Sequence, residues 1–546
     1  MPHDTLPVSL AQGLLDQADS DAVMVRVLSG DGGTGTTWSY REIIGAALVL
    51  AGHLERWAAE HGRPAKVGLL AENSPEWVVA DLAALFAAAV EVPVPTAFAA
   101  EQAASLLDTA DLCYVDDGGT RALARWAADS GPANTGSKVL PDTCPVTAVD
   151  IKALLAETPA GGAARPPVPA EDAVIKVIHT SGTTSAPKGV QIRRHGLDAL
   201  LTSLRARTEP AVFERYLSIV PLSLLIEQVA GLYMPFLAGG SVSFLPPGTA
   251  LVGTAADAAP RMLSLLRQAR PTALVVPPTV AGLFLALSDQ QPGESVPERR
   301  RRIFGHEGSV FIACGGAPVP AEILQRLDAY GVTVHEGYGL SENSSVVSWN
   351  FPGQVRFGTV GRPLDHVQAE LAEDGELLIR STSLFAGYTR EDPSSVVVDD
   401  QGRLHTGDLA EIDEDGYLRI TGRKKSMVIT SSGRNVSPEW VEARYREIGF
   451  IREAAIVADG LDQVHGLFVI EAGLDQDTAR ERIDAFGKER LSGIERAAVV
   501  HLMSEDDPEY ATCFTVTGRP RRDVIRTHVL RGHQSAPAGD TTEEKA

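Results

Sequence analysis

KVGLLAENSPEWVVADLAALFAAAVEVPVP, residues 66–95, constrains this chain more than any other stretch. The apolar run from Lys66 ends in a polar turn at Glu72, Asn73 and Ser74 and reads as a buried strand. Pro75 can open a helix, because the first helical residue has no use for an amide hydrogen, and an Ala/Leu-rich run follows it. Val90 to Pro95 reads as a second strand. Strand, helix and strand in that order imply mostly parallel sheets with helices on their faces. The texture returns at ALVVPP (273–278) and SVFIACGGAP (309–318), so the expected fold class is α/β, with mixed αβ sheets in a large N-terminal domain.

A chain of 546 residues exceeds one hydrophobic core, and at roughly 150 residues per domain three or four compact units are expected. The first, residues 1–424, carries the αβ pattern. From Gly375 it changes to short β-like segments, GELLIRS and GYLRITG, which suggests a β-rich subdomain over about 355–424. A small α+β unit at 425–533 follows, then a tail at 534–546, QSAPAGDTTEEKA, with the composition of a disordered segment. TPAGGAARPPVP (158–169) reads as a surface connector.

Charge and cysteine usage narrow the partners. Lys and Arg number 49 against 71 Asp and Glu, a net charge of −22, which repels nucleic acid and anionic lipid. The most apolar long segment, Tyr216 to Gly240, is interrupted by Pro221, Glu227, Gln228 and Pro235 and reads as core, not a membrane span. The N-terminus lacks the basic start and apolar run of a signal peptide. Cys113, Cys144, Cys314 and Cys513 have no metal or disulfide spacing, so a cytoplasmic location is expected.

Three motifs carry chemistry. VIHTSGTTSAPKGV (177–190) delivers a strand into a loop of hydroxyls and glycines closed by Lys188, a donor nest with a fixed cation that suits polyphosphate. Its spacing is not that of a Walker A loop. In EGYGLSENSSVVSWN (336–350), Tyr338 between two glycines can lie against a base, and Glu342 can hold Mg2+ beside phosphates. In GRLHTGDLAEIDEDGYLRITGRKK (402–425), Asp408 can accept two hydrogen bonds from vicinal ribose hydroxyls. Taken singly, each is also an ordinary turn or strand end.

In this order the motifs resemble the acyl-adenylate-forming superfamily: acyl-CoA synthetases, luciferases and the adenylation domains of peptide synthetases. TTWSYREI, ENSPEWVVADLAAL, CGGAP and GTVGRP add to the likeness, which spans roughly residues 10 to 530. The resemblance implies that Thr180, Ser181, Thr183, Thr184 and Lys188 face phosphates. Gly315, Gly316, Ala317 and Tyr338, with Gly339 and Ser341 of the same stretch, would frame the nucleotide. Glu342 would bind Mg2+, Asp408 and Arg423 would hold the ribose, and Arg434 would reach phosphate. Lys425 matches a hinge about which the C-terminal unit swings between adenylation of a carboxylate and attack by a thiol. Leu224, Glu227, Gln228 and Gly337 would line the acyl pocket, and its apolar flanks favour a bulky hydrophobic acid. ATP or acyl-AMP, CoA and Mg2+ are the implied cofactors.

Three positions depart from the family. Arg519, in TVTGRPRR, stands where the family has the lysine that stabilises charge as pyrophosphate leaves. Arginine is planar and bulkier, so the exchange is not conservative. Ser185 replaces a loop glycine, and Leu224 replaces a histidine common in long-chain relatives. The expectation is an acyl-CoA ligase that works mainly on preformed acyl-AMP, which leaves a place for a separate adenylating enzyme as partner. Open alternatives are a complete synthetase that tolerates Arg519 or uses Arg521 or Arg522 instead, an enzyme loading a carrier protein, and a non-catalytic nucleotide-binding relative.

Overall fold

A computed structural model describes residues 9–534 apart from 31–32, 34, 130–143, 158–169, 171, 181–187, 250–257, 391–396, 425–427, 430–434, 459–460, 462, 494 and 515–519. Ser181, Thr183, Thr184, Ser185, Lys425, Arg434 and Arg519 lie outside the described residues, as do the 158–169 connector and the tail beyond 534.

The strand-helix-strand reading of residues 66–95 holds. Lys66–Leu70 is a strand, and Pro75–Phe86 a helix capped by the Ser74 hydroxyl, which accepts from the Trp77 amide. The chain returns in parallel as Val90–Pro93, paired Lys66 to Val90. The helix is buried almost all round because a second helix, Tyr40–His61, packs across it. These strands belong to a six-stranded sheet that adds Leu112–Val115, Val146–Ala148, Val174–Thr180 and Lys188–Arg193. All its pairings are parallel except the last, which turns the phosphate-loop strands into a hairpin.

A nine-stranded sheet lies beside it, with a parallel centre built from Val334–Tyr338, Phe311–Cys314, Ala273–Val276, Arg215–Ser218, Ser241–Phe244 and Val23–Val27. Parallel sheets present binding sites beyond the carboxyl ends of their strands, where loops diverge. The CGGAP and GYGLSE motifs leave this sheet at two such ends, after Cys314 and Tyr338. Past residue 366 the chain builds a four-stranded antiparallel sheet, Val367–Leu371, Glu376–Ser381, Leu404–Ile412 and Leu418–Arg423. Beyond Val436, a three-stranded sheet with flanking helices completes the described chain. The architecture is α/β with a large N-terminal part and a smaller C-terminal one.

Two hydrophobic cores of the C-terminal part run from Val436 to Ala497 and from Ala455 to Val529, and share no residue with the three cores before them. Links between the parts include the Ser437 hydroxyl donating to the Thr421 carbonyl (2.9 Å) and an Arg490–Glu322 pair at 3.8 Å. No helix among the described residues is long and apolar enough to cross a membrane. The interrupted segment 216–240 is mostly buried, with short helical pieces including a π-helical turn at Val229–Tyr233.

Candidate functional site

Three of the sequence candidates are bonded together. The Tyr338 hydroxyl donates to Asp408 Oδ2 at 2.5 Å, and Arg423 Nε lies 2.9 Å from Asp408 Oδ1. Asp408 sits on the antiparallel sheet directly opposite Arg423, which explains their pairing. Burial pushes the Asp408 carboxyl above its ordinary range, against the pull of Arg423 and the Tyr338 hydroxyl. Burial and the neighbouring carboxylate likewise hold Tyr338 far above the usual phenol. The backbone is fixed too: Thr406 accepts from the Asp408 amide (3.1 Å) and donates to the Leu377 carbonyl (2.7 Å).

The glycines around this cluster are required by space. A Cβ on Gly339 would fall 1.6 Å from the Ser345 carbonyl oxygen, and one on Gly337 would meet the Trp349 ring at 2.9 Å. Gly316 has φ +83°, in the left-handed region. A Cβ on Gly315 would fall 3.2 Å from the Gly337 carbonyl oxygen, a sign of how closely the CGGAP and GYG segments approach. Ala317 is exposed at the tip of that loop, and Ser341 opens the turn that carries Glu342. Glu342 Oε1 accepts from the Tyr388 hydroxyl at 2.7 Å.

Thr180 and Lys188 are described by backbone alone. They pair across the hairpin, so the 181–187 loop starts and ends at one place. Beneath it lies a charge cluster. Lys176, on the incoming strand, bonds to both Asp81 and Glu91, and all three are buried. The Tyr233 hydroxyl donates to Asp81 Oδ1 at 2.8 Å. Burial alone would lower Lys176, but the two carboxylates outweigh it and hold the ammonium above its ordinary value. Burial, outweighing Lys176 and helped by Asp81, pushes the Glu91 carboxyl well above its ordinary value.

The acyl-pocket candidates separate. Leu224 is 46% exposed at the start of the helix Leu225–Gln228. Glu227 and Gln228 are fully buried, and their polar groups belong to the frame. Gln228 donates to the Leu222 carbonyl (2.8 Å). Glu227 accepts from the Ser218 (2.6 Å) and Tyr216 (2.8 Å) hydroxyls, and Tyr216 accepts in turn from the Val275 amide (3.0 Å). Asn73 joins them, donating to Ser218 (2.9 Å) and accepting from the Leu222 amide (2.9 Å). The segment 220–228 is thus bolted to two sheet strands.

Burial lifts the Glu227 carboxyl to about 8 against three donors. Between pH 4.5, the unperturbed carboxyl, and about 8, the native state keeps a proton the unfolded chain has released. Stability from this group is therefore full at the acid end and is lost as pH rises. Glu227→Gln is expected to lower stability by roughly 1–3 kcal/mol at pH 7, read as a lower urea midpoint, because its amide carries two N–H groups where the protonated carboxyl carries one O–H and so sets a hydrogen against a donor. It should also flatten the decline of that midpoint between pH 5.5 and 8. An unchanged slope would mean that Glu227 does not titrate in this window.

Several residues of this site went unnamed in the sequence motifs. Buried Glu376 accepts from the Gly407 amide (2.9 Å) and Lys424 (3.0 Å), with His405 3.2 Å away, so it ties HTGD to GRKK. Burial would raise it, but these partners outweigh that and hold it low. Buried Glu336 accepts from the Val319 amide (3.0 Å), joining the ends of CGGAP and GYG, and burial lifts its carboxyl to about 7. The available signal was an acid inside an apolar run, as at Asp81, Glu91 and Glu336.

The C-terminal cations are now distinguishable. Arg522 forms a two-pronged pair with Glu442, Nη1 to Oε1 at 2.5 Å and Nη2 to Oε2 at 3.1 Å, and also donates to the Ile456 carbonyl (3.2 Å). Glu442 is buried and accepts from the Ile456 amide (2.7 Å), so Arg522 is committed to the C-terminal core. Arg521 is exposed.

Residues 15–389 match the model of a family described as AMP-binding enzyme. The long-chain-fatty-acid-CoA ligase FadD15 of Mycobacterium bovis is 28% identical over 446 residues, covering 74% of this chain and 73% of the relative. A putative fatty-acid-CoA ligase, fadD11, of Mycobacterium tuberculosis is 31% identical over 302 residues, 49% of this chain and 53% of its own. Among solved structures, the anthranilate CoA ligase AuaEII in complex with anthranoyl-AMP superposes with a TM-score of 0.76 at 20% identity, covering 97% of this chain and 98% of the other. ATP-bound MatB from Rhodopseudomonas palustris gives 0.73 at 22% identity, over 96% and 99%. At these identities the two structures speak for the fold.

Proposed function

The chain belongs to the AMP-binding enzyme family, and from that premise we propose that it joins a bulky hydrophobic carboxylic acid to CoA through acyl-AMP, working mainly in the second half-reaction. It is an acyl-CoA ligase. The observation that carries the finer reading is an asymmetry. Tyr338 and Arg423, proposed with Asp408 to hold the nucleoside monophosphate, both bond to Asp408, whereas Arg519 stands at the position that the resemblance assigns to the adenylation lysine. Arg522 is tied to Glu442 and so is poorly placed to substitute.

In the proposed step the CoA thiol, losing its proton to solvent, attacks the acyl carbonyl of acyl-AMP. A carbon–sulfur bond forms, the bond from carbon to the phosphate oxygen breaks, and AMP leaves with the electron pair. Asp408 accepts the ribose hydroxyls once the Tyr338 hydroxyl yields Oδ2, and Arg423 holds the other carboxylate oxygen. Gly315 and Gly316, with no side chain, and Ala317, with only a methyl, leave a flat wall for the base. Glu342 fits Mg2+, an oxygen-seeking ion satisfied by one or two carboxylates plus phosphate and water, and there the ion would neutralise phosphate charge.

The assignments of Thr180, Ser181, Thr183, Thr184, Lys188 and Arg434 to phosphate belong to the same proposal, as does a C-terminal unit swinging about Lys425. The separate hydrophobic cores on either side of that position support the swing. Half-exposed Leu224 and the similarity to long-chain-fatty-acid ligases support a hydrophobic acid.

Two assays on one preparation test the reading: CoA consumption with synthetic acyl-AMP, and ATP–pyrophosphate exchange with the matching acid. Thioester formation is expected to be robust, with exchange at least about 100-fold below it. Equal rates would make the protein a complete synthetase. Turnover only with a phosphopantetheinylated carrier would replace CoA as acceptor, and no turnover with any acyl group would overturn the enzymatic proposal.

A further inference from the structure

The hydroxyl that fixes Glu342 comes from a segment outside the three motifs, LFAGYT, residues 384–389. Its backbone is stitched along the strand Lys188–Arg193, the exit strand of the 181–187 loop. The Ala386 amide donates to the Gln191 carbonyl (2.8 Å), the Gln191 amide to the Gly387 carbonyl (3.0 Å) and the Thr389 amide to the Gly189 carbonyl (2.8 Å). The Gln191 side chain donates to the Tyr388 carbonyl (3.1 Å), and Val190 bridges Tyr388.

The same segment grips Glu342 twice. The Phe385 amide donates to the Glu342 carbonyl (2.9 Å), and the Tyr388 hydroxyl to its Oε1 (2.7 Å). The Phe385 ring meets the Tyr388 ring edge-on, with centroids 4.9 Å apart at 70°, which restrains the phenol. Among the described residues Oε2 accepts no hydrogen bond, so the side chain keeps one oxygen anchored and one for a cation.

We propose that Tyr388 is a positioning residue for phosphate-bound Mg2+: through one hydroxyl it sets Glu342 against the strand that leaves the phosphate loop. The inference rests on the assignment of Glu342 to Mg2+ made above. A carboxylate on a mobile side chain loses rotamer freedom when it binds a cation, and one already held by a restrained phenol loses less.

The test is ATP binding by calorimetry on the full chain, with Mg2+ and again with EDTA, for wild type, Glu342→Gln and Tyr388→Phe. The phenylalanine keeps the ring contact with Phe385 and removes one oxygen. The wild type is expected to bind ATP more tightly with Mg2+, and Tyr388→Phe to lose about tenfold of that increment, with binding in EDTA unchanged within about twofold. Electron paramagnetic resonance of Mn2+ with ATP should give the same order.

Should Tyr388→Phe fold poorly, Phe385→Leu, which removes the ring that restrains the phenol and leaves the Glu342 carboxylate unaltered, takes its place with a loss in the same direction. If Glu342→Gln loses the increment while Tyr388→Phe keeps it, the positioning role is overturned and the Mg2+ assignment stands. If Glu342→Gln keeps the increment, or the wild type has none, the assignment fails and the inference with it. Equal weakening with Mg2+ and EDTA also overturns the proposal, since Tyr388 would then support the site in general.

Discussion

Arg519→Lys raises ATP–pyrophosphate exchange by about 100- to 1000-fold while leaving thioester formation from acyl-AMP within about twofold of wild type. This expectation follows from what the two side chains can do at one point. A lysine ammonium is compact and can approach a carboxylate and an α-phosphate together, whereas guanidinium is planar, spreads its charge and needs a wider slot. One aligned electrostatic contact in a desolvated site contributes about 10²–10³ in rate. The neighbouring cations offer little relief: Arg522 is locked onto buried Glu442, and Arg521 stands in solvent. Exchange with a panel of hydrophobic acids, measured beside CoA consumption, decides the matter. Wild-type exchange that is already fast would sink the idea. Weak exchange unrelieved by the lysine would direct attention to Ser185→Gly, alone and combined.

Lys176→Met should be the most damaging single change to stability. It removes the only ammonium bonded to Asp81 and Glu91 among the described residues and leaves both acids buried with Tyr233. Breaking a buried ion pair by removing one partner costs about 3–5 kcal/mol, a large part of the roughly 5–15 kcal/mol that holds a domain together. The melting temperature is expected to fall by about 4–6 °C, read by calorimetry or near-ultraviolet circular dichroism. Replacing all three polar residues by apolar ones of similar volume should recover much of the loss, because the cluster also carries its own desolvation penalty. A melting temperature within about 2 °C of wild type would show that the cluster does not anchor the strand beneath the phosphate loop.

The legible part of this protein was local. Lys66–Leu70, Pro75–Phe86 and Val90–Pro93 could be read directly because apolar spacing, a capping serine and a proline act within a few residues of each other. Asp408 and Tyr338 could be named one at a time from their motifs, but not the bond between them, since 70 residues separate them. The Tyr388–Glu342 contact spans 46 residues and the Lys176–Glu91 contact 85, and neither has a spacing rule. The resemblance puts Glu227 among the acyl-pocket residues, and no motif tells that its carboxyl is held by hydroxyls on the strand Arg215–Ser218, where it braces the segment that bears Leu224.

The distribution of the hydrophobic cores also bears on how the chain is made. The largest core gathers residues from Leu10 to Leu418, so it cannot close until the ribosome has released more than four hundred residues. At ~5–20 residues per second that is roughly 20–80 s during which apolar surface from the first helices waits for its last strand. The cores after Val436 draw only on their own stretch, ending at Val529, and can close as soon as they emerge. The small unit therefore emerges last and closes on local contacts, while the large one is the part that leaves apolar surface open longest during synthesis.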